Sequence, residues 1–337
     1  MDSPSSPQTD TADLPYAYST RFGRACIGDS RELLAKLDDE SVNLVMTSPP
    51  FALLRQKEYG NEDQVSYINW LLEFARLIHT KLRPDGSFVL DLGGAYMRGS
   101  PTRSLYNFRI LLRLCDELGF VLCEDFYWHN PSKLPSPIEW VNKRKLRVKD
   151  SINTVWWLGK TPWVKADVTN VLTEYSNRMK RLIADPESYF APAKRPSGHH
   201  VTLKFGKDNG GAIPPNLLQI PNSESNGKYV NACKSIAVDR HPARFPEALP
   251  KFFIRLLTEP DDLVVDVFAG SNTTGAVAEA EGRRWLAFEE RTDYVAASAF
   301  RFLPDDLAED DLKSIYSKIE SGEKVDLETY NRQKQLF

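Results

Sequence analysis

The sequence predicts an α/β fold: a Rossmann-like, mostly parallel sheet of seven strands with an irregular lobe inserted into it. Three observations lead to this class. Short apolar runs bounded by polar, Gly or Pro residues recur along the 337 residues and alternate with helical patterns. The runs at 42–47 and 263–268 are almost continuously apolar, which is typical of parallel strands buried on both faces. The alternation stops between about residues 161 and 240.

The elements follow one another in a regular order. The predicted strands cover residues 25–27, 42–47, 88–92, 122–128, 155–158, 263–268 and 285–289. Helical periodicity predicts helices at residues 30–36, 67–82, 105–118, 247–257, 274–281, 292–302 and 307–319. Strands that alternate with helices in this way predict parallel crossover units.

Composition separates the remaining segments. Residues 1–20 are rich in Ser, Pro and Asp and are predicted to be a disordered tail. Residues 161–240 are dominated by Pro, Gly, Asn and basic residues and are too long for an ordinary loop, so a small inserted lobe is predicted. Residues 304–337 form an acidic C-terminal extension, with nine acidic against five basic residues.

The composition also excludes several classes of protein. Hydrophobic residues make up 42% and charged residues 26% of the chain, as in soluble globular proteins. There is no run of 18 apolar residues and no secretory signal pattern, so neither a membrane partner nor export is expected. Four scattered cysteines without metal-ligand spacing indicate reduced thiols, a cytoplasmic location and no metal site; they are Cys26, Cys115, Cys123 and Cys233.

The charge is unevenly distributed. The net charge is −3, yet residues 133–207 contain 15 Lys and Arg against 6 Asp and Glu. A basic block within an acidic protein favours a surface that faces a polyanion. A solvated basic face remains the simpler alternative.

The motif Ser-Pro-Pro-Phe at 48–51 follows the apolar run at 42–47. Two consecutive prolines remove two backbone donors and fix two φ angles, so the chain makes a rigid corner here. Ser48 and the carbonyl of Pro49 offer two acceptors, and Phe51 adds an aromatic ring. Taken alone, the motif is also compatible with a simple turn at the end of a strand.

A second corner follows the apolar run at 263–268. Ala269, Gly270 and Ser271 allow a tight turn that a ligand can approach, and ligands of open α/β sheets bind at the carboxyl ends of strands. Glu289 ends the next predicted strand, where a carboxylate can accept hydrogen bonds from two ribose hydroxyls. Without a ligand, the turn would be only a tight joint between strand and helix.

Together these motifs resemble those of the β-class S-adenosylmethionine-dependent DNA amino-methyltransferases. The catalytic motif of that family, (Asp/Asn/Ser)-Pro-Pro-(Tyr/Phe/Trp), is met at 48–51. Its cofactor motif, Phe-x-Gly-x-Gly, is met at 268–272 with Asn272 in place of the last glycine. The catalytic motif precedes the cofactor motif, as in the β class. The resemblance extends over about residues 22–302 and is strongest to the PvuII-type N4-cytosine enzymes.

The resemblance implies a function. The chain would move a methyl group from S-adenosylmethionine to the N4 amino group of a cytosine flipped out of double-stranded DNA, in the palindrome CAGCTG, for host protection or restriction-modification. Residues 21–160 would be the catalytic half, 161–240 the target-recognition lobe and 241–303 the cofactor-binding half. A companion endonuclease without a stable complex and a monomeric or weakly dimeric state fit this function.

The resemblance and the residue chemistry together give the candidate site. The predicted catalytic residues are Ser48, Pro49, Pro50, Phe51 and Asp91. The predicted cofactor-binding residues are Asp29, His241, Pro242, Phe245, Phe268, Ala269, Gly270, Ser271, Asn272 and Glu289. Phosphate contacts are predicted for Lys143, Arg144, Lys145 and Arg147, and base contacts for Arg195, Ser197, His199, Asn222, Glu224 and Asn226.

Asp91 is included because serine is a weak base on its own. The strand at 88–92 is expected beside the strand at 42–47, so the Asp91 carboxylate would lie within reach of the Ser48 hydroxyl. It could then polarise that hydroxyl while the target amino group becomes positive. Alternatively, Asp91 only caps the turn at Gly93 and Gly94.

Three rival functions remain open. An adenine-N6 or RNA amino-methyltransferase would share this architecture. A glutamine-N5 methyltransferase of proteins would share the two corners but would not need a basic lobe of this length. A DNA-binding protein that has lost catalysis would keep the lobe alone.

Overall fold

A single sheet organises the larger part of the protein. The computed structural model describes residues 14–50, 64–97, 99–186, 206–223 and 227–332. In these ranges the strands are β1 Tyr18–Ser19, β2 Gly23–Ile27, β3 Val42–Thr47, β4 Leu82–Gly93, β5 Val121–His129, β6 Ile152–Gly159, β7 Leu217–Gln219, β8 Leu263–Asp266, β9 Arg284–Glu289 and β10 Val325–Asp326. Their order across the sheet is β10-β1-β2-β9-β8-β3-β4-β6-β5-β7.

The centre of the sheet is parallel, as predicted. Strands β2, β9, β8, β3 and β4 are neighbours that run in one direction. Strand β6 is antiparallel to both β4 and β5. All seven predicted strands are present, but the sheet has ten strands in the described ranges rather than seven. The additional strands β1, β7 and β10 have two or three residues each, too few for a pattern in the sequence.

The helices alternate with the strands. They are α1 Ser30–Ala35, α2 Gln64–Lys81, α3 Tyr106–Asp116, α4 Asn177–Ala184, α5 Lys228–Ser235, α6 Ala248–Leu257, α7 Thr273–Ala280, α8 Thr292–Ser298, α9 Glu309–Glu320 and α10 Glu328–Arg332. The sequence predicted seven of them. It missed α4 and α5, which lie within the segment at 161–240 that was predicted to be irregular, and α10, which has only five residues.

Both faces of the sheet are covered. Alternate residues of β8 point to opposite sides, so Leu263 and Val265 join an apolar cluster with α1, α2 and α3, whereas Val264 does not. Helices α6 and α7 pack against β3, β8 and β9. This double coverage explains the near-continuous apolar runs of the central strands.

The predicted N-terminal tail of residues 1–20 is too long. Residues 1–13 lie outside the described ranges, but Tyr18 is fully buried and pairs with Ala25 of β2. Apolar and aromatic residues from Leu14 onward, where the Ser- and Pro-rich composition ends, account for this order. The C-terminal extension also joins the sheet, because Val325 of β10 pairs with Tyr18.

The chain divides into two compact units. The smaller unit is Ala166–Pro215, and the larger contains the remaining residues. Within the smaller unit, Thr173 bridges to Ala212, and the Tyr175 hydroxyl donates to Asp208 at 3.1 Å. The lobe predicted at 161–240 is wider than this unit, because residues 216–240 contribute β7 and α5 to the larger unit.

Candidate active site

The Ser48 corner lies beside Asp91. Strands β3 and β4 are parallel, and Thr47 pairs with Leu90, so the residues that follow are neighbours. The Ser48 hydroxyl donates to Asp91 Oδ2 at 3.1 Å. Pro49 is buried and Pro50 is exposed. The predicted proximity of this serine and this carboxylate is thus present in the structure.

Asp91 is a buried carboxylate with two side-chain partners. It is 3% exposed, and its Oδ1 accepts a hydrogen bond from Asn153 Nδ2 at 3.1 Å. Burial raises the pKa of Asp91 to about 6, although the Asn153 and Ser48 hydrogen bonds and the positive charge of Lys133 oppose this rise. A carboxylate with such a pKa can exchange a proton near neutral pH. The sequence did not reveal Asn153, because it lies at the start of an antiparallel strand.

The glycine turn after β8 requires its particular residues. Gly270 has φ +51°, and a Cβ at this position would lie 2.9 Å from the His241 ring. Asn272 also adopts the left-handed conformation, with φ 53° and ψ 45°. Asparagine tolerates this conformation better than most residues, so it can replace the last glycine of the motif.

The buried Asn272 side chain connects the glycine turn to α7 and to Tyr18. Its Oδ1 accepts from the Gly275 N–H at 3.0 Å and caps α7, and its Nδ2 donates to the Tyr18 hydroxyl at 3.0 Å. The side chain is 1% exposed. Asn272 therefore stabilises the turn and, unlike Ala269 and Ser271, does not line the cavity.

Glu289 binds the backbone of the glycine turn. Its Oε2 accepts from the Gly270 N–H at 2.9 Å, and its Oε1 accepts from the N–H groups of Glu290 and Arg291 at 3.0 Å. Burial raises the pKa of this carboxyl group, and the three backbone donors oppose the rise. Glu289 thus connects the end of β9 to the turn after β8.

Asp266 joins the two corners. Its Oδ1 accepts from Thr47 Oγ1 at 2.6 Å, and its Oδ2 accepts from Thr274 Oγ1 at 2.6 Å. The Phe268 N–H also donates to Oδ1, at 3.1 Å. Asp266 is 2% exposed. Sequence reasoning missed this role, because Asp266 stands inside an apolar run and its partners come from other segments.

A cavity of about 820 Å³ opens at this edge of the sheet. The predicted site residues that line it are Asp29, Ser48, Pro49, Pro50, Asp91, Asn222, His241, Pro242, Phe245, Phe268, Ala269, Ser271 and Glu289. Among those that the sequence did not reveal are Trp70, Phe74, Trp128, Asn130, Lys133, Asn153 and Tyr294. The corner at 48–50 and the turn after β8 therefore line the same cavity.

Aromatic rings shape part of this cavity. The Phe268 ring lies 5.3 Å from the Trp70 ring and 4.8 Å from the Phe74 ring, measured between centroids. His241 packs edge-on against Tyr294 at 4.5 Å, and burial lowers the pKa of His241 to about 4. His241 is therefore neutral at physiological pH.

Asp29 is already engaged within its own helix. Its side chain caps α1 by accepting from the Arg31 N–H at 2.8 Å, and it forms an ion pair with the Arg31 guanidinium. The hydrogen bonds from Arg31 lower the pKa of Asp29. Asp29 lines the cavity as an ionised group.

Some of the predicted DNA contacts already have partners within the protein. Lys143 and Arg144 both pair with Glu139, at 3.4 and 2.8 Å. Lys145 is exposed, and Arg147 donates to the Pro101 carbonyl at 3.0 Å. Asn222 Nδ2 donates to the Arg244 carbonyl at 2.7 Å. The other predicted DNA contacts lie outside the described ranges, as does the predicted catalytic residue Phe51; these contacts are Arg195, Ser197, His199, Glu224 and Asn226.

Two further properties concern the described residues alone. They contain no helix that is long and apolar enough to cross a membrane. In the same ranges, no group of three or more His, Cys, Asp or Glu side chains could hold a metal ion.

Comparisons with known proteins identify the family. The N6_N4_Mtase family, described as DNA methylase, matches residues 42–300. The chain is 63% identical over 311 residues to the type II methyltransferase M.PvuII of Proteus hauseri, covering 92% of this chain and 93% of that one. It is 25% identical over 287 residues to the DNA adenine methyltransferase YhdJ of Escherichia coli K12, covering 82% of each chain.

The fold agrees with that similarity. The solved structure of the PvuII DNA methyltransferase (cytosine-N4-specific) matches with a TM-score of 0.78 and 56% identity, covering 94% of this chain and 98% of that one. The family match spans most of the sheet and both corners of the cavity. The chain therefore belongs to the N6_N4_Mtase family of DNA methylases.

Proposed function

We propose that this protein methylates the N4 amino group of a cytosine in DNA, with S-adenosylmethionine as the methyl donor. The observation that carries the proposal is the hydrogen bond between Ser48 and Asp91 in the cavity that also contains the glycine turn. The 63% identity to M.PvuII and the cytosine-N4-specific solved relative support cytosine as the target.

The glycine turn and its neighbours suit the cofactor. S-adenosylmethionine supplies an electrophilic methyl group on a sulfonium. The turn borders the cavity through Ala269 and Ser271, and between them a Cβ at Gly270 would clash with His241, which also lines the cavity. Glu289 would accept hydrogen bonds from the ribose hydroxyls through the carboxylate lone pairs that its backbone donors do not use. Asp29 would meet the adenine, while His241, Pro242 and Phe245 would line the methionine end.

The Ser48 corner suits the target amino group. The lone pair of cytosine N4 is delocalised into the ring, so N4 becomes positive and must lose a proton as it is methylated. Acceptors aimed at the amino hydrogens stabilise this charge most in the transition state. Ser48 Oγ and the carbonyl of Pro49 are the proposed acceptors, and the two prolines hold them in place.

Asp91 would receive the charge that develops on Ser48. When Ser48 Oγ accepts a hydrogen bond from the amino group, it can donate its own proton to Asp91 Oδ2. Asn153 keeps the carboxylate in the orientation that this bond requires. The positive charge that develops on the amino group is thereby relayed to the buried Asp91 carboxylate, which does not itself contact the cytosine.

The substrate is proposed to be double-stranded DNA. A paired cytosine hides its amino group from in-line attack, so the base must leave the stack. The proposed site is the palindrome CAGCTG with the inner cytosine modified, read by the lobe. A monomer or weak dimer would act in host protection or restriction-modification, without a stable complex with an endonuclease.

Nucleoside analysis tests this function directly. Duplex DNA containing CAGCTG is incubated with the protein and labelled S-adenosylmethionine, digested and separated. Label in N4-methylcytosine is the expected result. Label in N6-methyladenine would establish the adenine alternative, while cofactor binding without labelled nucleoside would contradict catalysis on this DNA.

A further inference from the structure

The loop between β5 and β6, residues 130–151, borders the cavity and is called the rim loop here. Its two ends line the cavity, through Asn130 and Lys133 at the start and Ser151 at the end. Between residues 133 and 149 it contains six Lys or Arg against one Glu. Such a surface suits a polyanion.

The rim loop also exposes large apolar side chains among these charges. Leu134 is 80% exposed and Val148 is 85% exposed, and these two residues are called the apolar pair. Ile138 and Leu146 are 61% and 52% exposed. Because the two ends of this loop line the cavity, its exposed apolar side chains indicate a surface that a partner covers.

Hydrogen bonds within the rim loop connect the two segments that carry the apolar pair. Lys149 Nζ donates to the carbonyls of Pro131 and Lys133, at 3.1 and 3.3 Å. The Asp150 N–H donates to the Ser136 carbonyl at 3.0 Å. These bonds set residues 148–150 alongside residues 131–136, so both members of the pair lie on adjoining backbone segments.

We propose that the apolar pair acts as a wedge that enters the base stack of DNA where the target base leaves it. The inference rests on the proposed function. Apolar side chains that insert between bases offset the loss of stacking, and the surrounding cations bind the flanking phosphates. An apolar surface for another protein would not require a basic loop or loop ends that line the cavity.

The test compares paired and unpaired targets. Single-turnover methylation is measured for the wild type and for the double variant Leu134→Ala/Val148→Ala. One duplex is fully paired, and the other has an abasic site opposite the target cytosine, which removes the need to break a base pair. The expected result is a rate at least about tenfold lower on the paired duplex and a rate close to that of the wild type on the abasic one.

Controls separate a wedge from other roles. Leu112→Ala removes a leucine of α3 that is 58% exposed and does not line the cavity, so it should leave both rates unchanged. Leu134→Met/Val148→Ile keeps apolar bulk and should retain most activity on the paired duplex. All replaced residues are exposed, so the variants should fold normally.

Three outcomes would overturn the inference. One is an alanine double variant whose rates on both duplexes equal those of the wild type. A second is an equal loss of rate on both duplexes, which would indicate a general role in DNA binding. The third is a wild type that methylates neither duplex at cytosine, which would contradict the proposed function and therefore also the inference that depends on it.

Discussion

The Glu289 carboxylate accepts a hydrogen bond from the Gly270 N–H at 2.9 Å, so the acid that ends β9 also shapes the turn after β8. Two further backbone N–H groups bind the same carboxylate. The residue proposed to hold the ribose therefore also organises the backbone that the cofactor would approach. A change at Glu289 should affect both.

Replacing Glu289 by alanine should weaken cofactor binding. Loss of a charged acceptor costs roughly 1.5–3 kcal/mol, which corresponds to about 10- to 150-fold in the dissociation constant. Isothermal titration with S-adenosylmethionine measures this change. Glu320→Ala removes an exposed carboxylate of α9 that does not line the cavity and should leave the constant unchanged. Equal affinities for Glu289→Ala and the wild type would place the ribose elsewhere.

Gly270→Ala should disturb the turn more than an alanine at an ordinary left-handed glycine. The new Cβ would lie 2.9 Å from the His241 ring at φ +51°. Gly282 has φ +75°, and a Cβ added there would meet nothing within 4 Å, so Gly282→Ala reports the backbone strain alone. Urea unfolding and cofactor titration should both show a larger loss for Gly270→Ala. If the two variants behave alike, contact with His241 is unimportant.

Lys145→Ala should weaken binding to DNA of any sequence. Lys145 is exposed on the rim loop, whereas Arg144 and Lys143 already pair with Glu139. Removing one phosphate contact should flatten the slope of log affinity against log salt by about one. Fluorescence anisotropy with cognate and unrelated duplexes at several salt concentrations measures the slope. Lys313→Ala on α9 is the control, and an unchanged slope for Lys145→Ala would exclude the contact.

Asp91 should make stability depend on pH in a defined direction. Its pKa is raised by burial to about 6 from an ordinary 3.8, so the folded state binds this proton more tightly than the unfolded state does. The resulting stability is complete below the unfolded pKa and is lost as the pH rises through about 6.

Urea unfolding of the wild type and of Asp91→Asn, below and above that pKa, measures the effect. The free energy of unfolding of the wild type, relative to the variant, should fall on the order of 1–3 kcal/mol as the pH rises. A difference that does not vary with pH would mean that burial does not perturb this carboxyl group.

The sequence predicted the parallel centre of the sheet because buried strands leave a long apolar signal. It also predicted that Ser48 and Asp91 would meet, since parallel neighbours end at one edge. It missed Asn153 and Asp266, whose roles depend on the register between distant strands. It also missed β1, β7 and β10, because such short strands are defined by their partners rather than by their own residues.

The central claim is that Ser48 and Asp91 act as one unit in methyl transfer to cytosine N4. The most direct test is the single-turnover rate of N4-methylcytosine formation for the wild type, Ser48→Ala, Asp91→Asn and the double variant. Each single change should slow transfer by about 10²-fold or more, with cofactor and DNA affinity nearly intact. The double variant should be little slower than either single variant, because the two groups act together. A normal rate for Asp91→Asn, or two losses that simply multiply, would contradict the claim and leave Asp91 as a support of the Gly93–Gly94 turn.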